Sequence, residues 1–564
     1  MTRWRPTLIE LLVIPVVLAA GTALWLLHAS AWDLGGRSPI LGFDTAQYAL
    51  AGRELSWHGR LATPYALPIE LLHHANPPWP LAALQPGMVL VEGLTFKLVP
   101  AIGSFASPDP RAALSLILPF ICFLLIGSGL ALGARHLVAR YRPGAPPSAR
   151  AAAALMVGLA FVLDPEAQHF AIGGFTELPF TAGLLLALLG LALEVPASGA
   201  LRYGLVLGLA GLFRANTLWL TPILALAAAL SGPRERAWRT AALVMLGWAI
   251  PLAPWWFYKW RAFGSPDWDL SRYVLWDGIR GQTWFSLFHQ PALPVVPHGF
   301  EAVTLLAGKV LRNLPGLLTS MLLGPRALWI GAIAAWLVLV KPARPFAAAG
   351  LAVLACGAMG VLTAAASIPW LRYMFPTRVL LEPFGMLALW ALIARIPPAH
   401  VTPRLRGALL ALVAVLALGW GAWSTSEGLD EARAGSRVRG VPSTHTLTAI
   451  SIELSHRIRP GEPVMSNLGP ALAWQTNHPV VHLALAPQDV ESCRRYLDVR
   501  HVILVFRDAR AAWGQWSEVF ARAGAANALG MNVASETRYV SPDGFMIVWL
   551  ELKPLGPALA SATR

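Results

Sequence analysis

The chain has 564 residues, of which 56% are apolar and only 13% are charged, and its formal net charge is +14. A soluble globular protein carries about 25% charged residues, so this composition excludes an ordinary soluble enzyme and indicates a polytopic membrane protein. The excess positive charge lies in short segments between apolar runs, which is the positive-inside pattern and argues against a nucleic-acid partner. The three cysteines, Cys122, Cys356 and Cys493, show no metal-ligand spacing.

About eleven transmembrane helices are predicted from the apolar runs. The first run, Leu8 to Leu27, is too long for a signal-peptide core and is interpreted as a retained span. The two runs on either side of Arg214 could instead form one long kinked span. With eleven spans the N-terminus, where Arg3 and Arg5 precede the first span, is expected to be cytoplasmic and the C-terminus extracytoplasmic. The later runs begin near residues 112, 151, 178, 203, 217, 241, 314, 346, 375 and 407.

A change of pattern near residue 425 predicts a second domain. Short β-rich runs at 480–483, 501–506 and 545–550 alternate with helical patterns at 446–457, 489–497 and 512–523, which is typical of a small α/β domain. The predicted fold class is therefore an all-α polytopic membrane domain over residues 1–424, whose external loop at 29–109 carries amphipathic helices. An extracytoplasmic (periplasmic) α/β domain follows over residues 425–564. The preference for arginine over lysine is typical of GC-rich bacterial genomes and points to a bacterial inner (plasma) membrane.

The first external loop holds the most informative residues, Asp44 and Tyr48. One interpretation makes Asp44 the N-cap of an interfacial amphipathic helix, with Tyr48 as its aromatic anchor. The other makes Asp44 a general base that deprotonates an acceptor hydroxyl at the membrane surface. The residues by themselves favour neither interpretation.

Asp44 and Tyr48 belong to an Asp-x-x-x-Tyr-Ala motif that resembles the opening motif of the GT-C glycosyltransferases. Four further motifs follow in the family's order, so that the resemblance covers roughly residues 1–425. The similarity is closest to the branch of protein O-mannosyltransferases and bacterial aminoarabinose transferases. The four motifs are Asn76-Pro77-Pro78-Trp79-Pro80, Gly174-Phe175-Thr176-Glu177-Leu178-Pro179-Phe180, Pro254-Trp255 ahead of Gly264-Ser265-Pro266, and Arg372-Tyr373-x-x-Pro376.

This resemblance implies an inverting transferase that moves a sugar from a polyprenyl-phosphate donor to a hydroxyl of a glycan, lipid or protein acceptor. Such a reaction needs one carboxylate beside the acceptor, for which Asp44 is the candidate, and cations around the departing phosphate. Arginine suits phosphate through its planar fork of donors. The candidates for donor-phosphate or substrate binding are Tyr48, His73, His74, Arg214, Lys259, Arg372 and Tyr373.

Most of these candidates also have a purely structural explanation. Arg372 could be a snorkelling residue at the interface, Lys259 an anchor at the end of a span, and the two histidines part of a solvated surface. Arg214 differs because it lies in an apolar stretch, where a charge is a functional hypothesis by default.

Asp164, Glu166 and Glu177 form a second acidic group after the third predicted span. Two carboxylates so close in sequence could share Mg²⁺ or Mn²⁺, and oligosaccharyltransferases of the same superfold use an acidic pair in this loop. The mannosyltransferase-like branch does not generally depend on such a metal, and Asp164 before Pro165 is more typical of a helix boundary. No bound metal or other cofactor is predicted.

Two other functional classes remain open. A secondary transporter or a flippase for a lipid-linked substrate would also contain broken spans and an intramembrane arginine. Such proteins usually show repeats of hydropathy and short external loops, which this sequence lacks. A non-catalytic member of the same superfold would carry the same motifs. The glycosyltransferase is the favoured interpretation.

Overall fold

A computed structural model describes residues 7–31, 43–98, 114–141, 144–192, 199–323, 325–396, 400, 402–433 and 442–555. Arg3, Arg5 and the predicted span start near residue 112 lie outside these ranges. The chain divides into two compact units, each assembled from segments that are distant in sequence. The membrane unit comprises Met1–Trp32, Leu116–Phe257 and Ala307–Ala434, and the sheet unit comprises Asp33–Ser115, Tyr258–Leu306 and Gly435–Arg564.

The described helices confirm a multi-pass membrane protein. Six of them are long and apolar enough to cross a membrane, and two bent helix pairs raise that number to eight. Three shorter apolar helices, Glu177–Ala192, Ala200–Gly211 and Thr217–Ser231, account for the remaining predicted runs, and the two that flank Arg214 are separate. The six long helices are Leu8–Ala31, Ile117–Arg140, Arg234–Phe263, Arg344–Ala366, Phe375–Arg395 and Arg404–Arg433. The bent pairs are Pro147–Val162 with Pro165–Gly173 and Gly299–Leu322 with Arg326–Val340.

The first bent pair shows how local sequence breaks a span. The Pro147–Val162 and Pro165–Gly173 helices are bent by 57°. Pro165 has no N–H to continue the first helix, and the Asp164 side chain caps the second by accepting a hydrogen bond from the Ala167 amide (2.9 Å). The predicted helix boundary at Asp164 is therefore confirmed.

Glycine permits the closest helix packing in the membrane unit. A Cβ atom on Gly204, in the Ala200–Gly211 helix, would overlap the carbonyl oxygen of Val244 in the Arg234–Phe263 helix. Gly247 in the second helix is equally close to the backbone of the first. The two backbones touch directly, as small residues allow between helices in lipid. One continuous apolar core extends through this unit.

A six-stranded mixed sheet forms the centre of the sheet unit. The strands in the described residues are β1 Ala62–Thr63, β2 Tyr65–Ala66, β3 Trp79–Pro80, β4 Val464–Ser466, β5 Val480–His482, β6 His501–Phe506, β7 Val533–Val540 and β8 Met546–Leu552. Their order in the large sheet is β2-β5-β4-β6-β8-β7, in which β2, β5, β4 and β6 run parallel and the last two pairings are antiparallel. β1 and β3 form a separate antiparallel ladder. The helices of this unit are Phe43–His58, Pro86–Leu98, Trp284–Phe288, Thr444–Arg457, Pro470–Thr476, Pro487–Arg494, Trp516–Ala521 and Ala525–Ala528.

The predicted α/β character of the C-terminal segment is confirmed, since its three β-rich runs form β5, β6 and β8. All six residues of β6 are buried, as expected for a strand covered on both faces. The first external loop adds β2 to this sheet: Tyr65 pairs with Val480, and Ala66 with Val481. The predicted boundary after residue 424 falls inside the Arg404–Arg433 helix. The sheet unit therefore combines the C-terminal segment with loop segments from far upstream.

Candidate active site

The Phe43–His58 helix carries Asp44 in its first turn. Asp44 is half-buried, whereas the nine residues from Thr45 to Arg53 are all buried. The helix is thus covered on every side over this stretch, unlike an amphipathic surface helix, which leaves one face open. Tyr48 is 8% exposed and belongs to this packing. This burial does not fit the interpretation of Tyr48 as the aromatic anchor of an interfacial amphipathic helix.

Arg53 ties the same helix to the C-terminal part of the sheet unit. Its Nη1 donates to the carbonyl oxygen of Trp474 (2.9 Å) and its Nη2 to that of Ala473 (3.2 Å). The guanidinium carbon lies 4.6 Å from the centroid of the Trp474 ring, a cation–π distance. The last carbonyls of the Pro470–Thr476 helix are natural acceptors for a cation. This contact fixes the helix that carries Asp44.

Tyr65 lies within the electrostatic reach of both Asp44 and Glu70. Burial raises the pKa of Tyr65 well above its ordinary value, and the negative charges of Glu70 and Asp44 raise it further. Burial also raises the pKa of Glu70 to about 7, although the Leu67 amide, which donates to its carboxylate (2.6 Å), opposes the shift. The Tyr65 hydroxyl makes no hydrogen bond within the described part of the chain. A neutral phenol and a carboxyl group that titrates near neutrality thus accompany Asp44.

Lys259 is almost completely buried in the sheet unit, at 2% exposure. Its ammonium group donates to the carbonyl oxygens of Leu81 and Ala82, both at 2.9 Å. These bonds hold the segment after the Pro-Pro motif against the end of the Arg234–Phe263 helix. The structural explanation offered for this residue, an anchor, fits its contacts better than a phosphate ligand.

His73 and His74 pack beside an aromatic pair at the end of the same helix. The rings of Phe263 and Trp268 stack with centroids 3.9 Å apart, and the His73 ring meets Trp268 edge-on at 4.8 Å. The Nε2 atom of His74 lies 2.8 Å from the carbonyl oxygen of Ala262. Burial lowers the pKa of His73, and the neighbouring His74 lowers it further. Both histidines therefore have packing roles, and their phosphate-binding role stays a prediction.

Two arginines meet one buried carboxylate in the membrane unit. Glu177 begins the Glu177–Ala192 helix and is 0% exposed; its Oε1 lies 2.7 Å from Nη1 of Arg214 and 2.5 Å from Nε of Arg372. The Arg372 guanidinium lies 4.7 Å from the ring of Phe175, and that of Arg214 lies 5.8 Å from the ring of Tyr373. Two guanidinium groups thus share one buried carboxylate in an apolar setting. We call these three ionised residues the arginine pair site.

The second acidic group is also bound by an arginine. Arg378 donates through Nη2 to Asp164 (3.1 Å) and Glu166 (2.5 Å), and it is 7% exposed. Arg326 forms a neighbouring pair with Glu382 at 2.8 Å. The two carboxylates that could have shared a metal ion thus both accept hydrogen bonds from one guanidinium, and Glu177 is paired elsewhere. Within the described ranges, no group of three His, Cys, Asp or Glu side chains could hold a metal ion.

Several residues of these clusters were not singled out by the sequence motifs. Arg378 could have been found, because an arginine inside an apolar helix is itself a signal. Tyr65 and Glu70 gave no comparable signal, since a tyrosine and a glutamate in a polar loop are ordinary. Only the pairing of β2 with β5 places Tyr65 in the interior of the sheet unit.

The architecture can be compared with solved structures. ArnT from Cupriavidus metallidurans, bound to undecaprenyl phosphate, superposes with a TM-score of 0.54 at 15% sequence identity, over 95% of this chain and 97% of that chain. This chain has the ArnT fold. The apo state of the same ArnT gives the same values. No protein-family model matches the sequence, and no curated protein matches it.

The ArnT fold confirms the GT-C resemblance drawn from the five motifs, at the level of the fold. ArnT is a GT-C aminoarabinose transferase, one of the two kinds of enzyme in the branch that the motifs resemble. Because the likeness extends over nearly the whole chain, it includes the C-terminal segment that carried no assignable motif. The roles of Asp44, the arginine pair site and the other candidate residues stay predictions.

Proposed function

We propose that this protein is an inverting glycosyltransferase that transfers a sugar from a polyprenyl-phosphate donor to an acceptor hydroxyl. The ArnT fold and the undecaprenyl phosphate bound to ArnT support this donor class. We further propose a bacterial inner-membrane location with a cytoplasmic N-terminus, which follows from the positive-inside pattern. The acceptor, a glycan, lipid or protein of the cell envelope, then reacts on the extracytoplasmic face.

The arginine pair site is the observation that carries this proposal. Arg214 and Arg372 each contact Glu177 through one guanidinium nitrogen, and Arg372 is partly accessible, with 28% of its side chain exposed. A phosphate offers several acceptor oxygens and therefore suits two planar guanidinium groups that lie side by side. In a low-dielectric surrounding these cations would stabilise the charge that develops on the leaving phosphate.

Asp44 is the proposed general base. The acceptor oxygen attacks the anomeric carbon of the donor, and its proton passes to the Asp44 carboxylate. The bond between that carbon and the phosphate oxygen breaks, and the electron pair leaves with the polyprenyl phosphate. A single displacement of this kind inverts the anomeric configuration. Glu70 is less suited to the role of base, because burial keeps a large fraction of it protonated near pH 7.

No divalent cation takes part in the proposed reaction. Asp164 and Glu166, the only pair of carboxylates offered for a metal, already bind Arg378. Treatment with EDTA is therefore expected to leave the transfer rate unchanged. A rate that falls with EDTA and returns with Mg²⁺ or Mn²⁺ would contradict this part of the proposal.

The test is sugar transfer by the purified protein in detergent, with a panel of polyprenyl-phosphate sugars and a membrane extract as acceptor. Asp44→Asn should lower the rate by at least about 100-fold, in the range of a lost general base, while donor binding persists. Arg372→Gln should weaken donor binding. The matched controls are Asp430→Asn, an exposed carboxylate at the end of the Arg404–Arg433 helix, and Arg326→Gln, another partly buried arginine of the membrane unit.

The outcomes separate the competing functions. Transfer that collapses in Asp44→Asn with donor binding retained, and that persists in the two control variants, supports the enzyme and its base. Equal activity of Asp44→Asn and the wild type would refute the assignment of the base. Movement of a labelled polyprenyl-phosphate sugar across proteoliposomes without transfer to any acceptor would instead identify a flippase.

A further inference from the structure

A second feature of the membrane unit shares none of its lining residues with the sites described so far. An open cleft lies among four helical segments, and the space in and directly above it, which includes the open mouth, is about 460 Å³. Its walls consist entirely of apolar and aromatic residues, among them Leu137, Trp336, Phe346, Phe384 and Trp390. Trp336, Phe346 and Trp390 are themselves buried, so the floor of the cleft is a packed aromatic surface. We call it the aromatic cleft.

Basic residues surround one end of the aromatic cleft. Arg140 is exposed, and its guanidinium lies 5.3 Å from the ring of Phe346, which lines the cleft. Arg395 is exposed at the end of the Phe375–Arg395 helix, and its Nη1 donates to the carbonyl oxygen of Val340 (3.3 Å). Lys341 and Arg344, both exposed, flank the short turn between the segments that carry Trp336 and Phe346. These four residues, Arg140, Lys341, Arg344 and Arg395, are the basic rim.

Acidic residues are missing from the segments that build this end. Residues 132–150, 336–349 and 384–406 contain no aspartate and no glutamate. Helix C-termini favour cations, which explains part of the pattern, but Arg344 lies at the start of a helix, where its charge is unfavourable. An all-basic rim above an aromatic, apolar cleft is complementary to a molecule with an anionic head and a hydrocarbon tail. Basic pockets between transmembrane helices bind anionic phospholipid head groups in this way.

We infer that the aromatic cleft and its basic rim form a binding site for an anionic phospholipid of the surrounding bilayer. One acyl chain occupies the cleft, and the phosphate lies on the basic rim. Each basic residue near a lipid head group contributes about 1 kcal/mol, which corresponds to roughly a fivefold change in affinity. The bound lipid would brace the helix ends at this side of the unit, independently of any transfer reaction.

The experiment is native mass spectrometry of the full-length protein with phosphatidylglycerol and phosphatidylcholine of equal chain length, supported by thermal denaturation in the same lipids. The wild type should retain phosphatidylglycerol in preference to phosphatidylcholine. Removal of two rim charges in Arg140→Ala with Arg344→Ala should weaken phosphatidylglycerol binding by roughly 25-fold. Ala391→Phe should block the cleft and weaken the binding of both lipids without removing any charge.

The matched control is Arg236→Ala with Arg239→Ala, which removes two exposed charges from another basic segment of the membrane unit. It should leave phosphatidylglycerol binding unchanged. Equal retention of the two lipids by the wild type would overturn the inference, as would an equal loss in the control variant, which would mean attraction to surface charge in general. Displacement of phosphatidylglycerol by undecaprenyl phosphate at equal concentration would also overturn it, because the cleft would then belong to the sugar-carrier lipid.

Discussion

Replacement of Glu177 by glutamine tests the arginine pair site most directly. The substitution keeps the size of the side chain and a neutral acceptor oxygen but removes the charge that holds Arg214 and Arg372 together. Removal of one partner from a buried ion pair costs about 3–5 kcal/mol. The Arg372 side chain is 28% exposed and partly screened by solvent. The free energy of unfolding of Glu177→Gln is therefore expected to fall by about 3 kcal/mol, near the lower of these two values.

A polyprenyl phosphate should reverse much of this loss if it binds to the two arginines. In the variant its phosphate replaces the missing carboxylate, whereas in the wild type it shares the arginines with Glu177. A ligand at 100 times its Kd stabilises the folded state by about 2.7 kcal/mol. The difference in Tm between Glu177→Gln and the wild type should therefore shrink as undecaprenyl phosphate is added.

Thermal denaturation in detergent, followed by intrinsic tryptophan fluorescence across a titration of undecaprenyl phosphate, measures this difference. Glu382→Gln is the control, because Glu382 forms a comparable half-buried pair with Arg326 at 2.8 Å. Its Tm should fall without any rescue by the polyprenyl phosphate. A difference in Tm that stays constant for Glu177→Gln, or shrinks equally for Glu382→Gln, would refute the phosphate role of the arginines.

Three further predictions concern the stability of the fold. Burial raises the pKa of Glu70 to about 7, so the stability it contributes is complete below its unfolded pKa and is lost as the pH rises through 7. Between pH 5 and 8 the free energy of unfolding of the wild type should fall by up to about 3 kcal/mol, whereas that of Glu70→Gln should not show this fall. Thermal melts at each pH measure the difference. Arg53→Met removes two charge-assisted hydrogen bonds to the segment around Trp474, and limited trypsin digestion should then release C-terminal fragments that the wild type protects. Gly204→Ala should lower the Tm through a backbone clash worth about 1–3 kcal/mol, whereas Gly331→Ala, which meets nothing within 4 Å, should not.

Hydropathy predicted the membrane segments well because lipid imposes a simple physical condition. Inside a bilayer no water satisfies the backbone polar groups, so the spans of a helical membrane protein are apolar helices whose backbone hydrogen bonds lie within the segment. The eleven predicted runs correspond to the six long helices, the two bent pairs and the three shorter helices. Asp164 and Pro165 also identified the break in one span, since a missing N–H acts locally whatever the surroundings.

The resemblance of the five motifs to those of the GT-C family likewise anticipated the fold, and some of these motifs lie at helix ends and turns. Glu177 does begin a helix, and Arg372 does lie in the turn before another. The sequence could not reveal that these two residues, 195 positions apart, share an ion pair. Such a pairing depends on which helices become neighbours, and hydropathy contains no information about neighbours.

The sequence alone determined the membrane class, the approximate spans and the α/β character of the C-terminal segment. The role of Asp44 as base, which the family resemblance implied, stays a prediction. Only the tertiary structure showed that the first external loop contributes a strand to the C-terminal sheet through Tyr65 and Ala66. Two residues carry too little periodicity to be recognised as a strand, and their hydrogen-bond partners lie more than 400 positions away. Local sequence patterns indicate which face of a segment is exposed to water or lipid. The packing of the whole chain decides which segments become its neighbours.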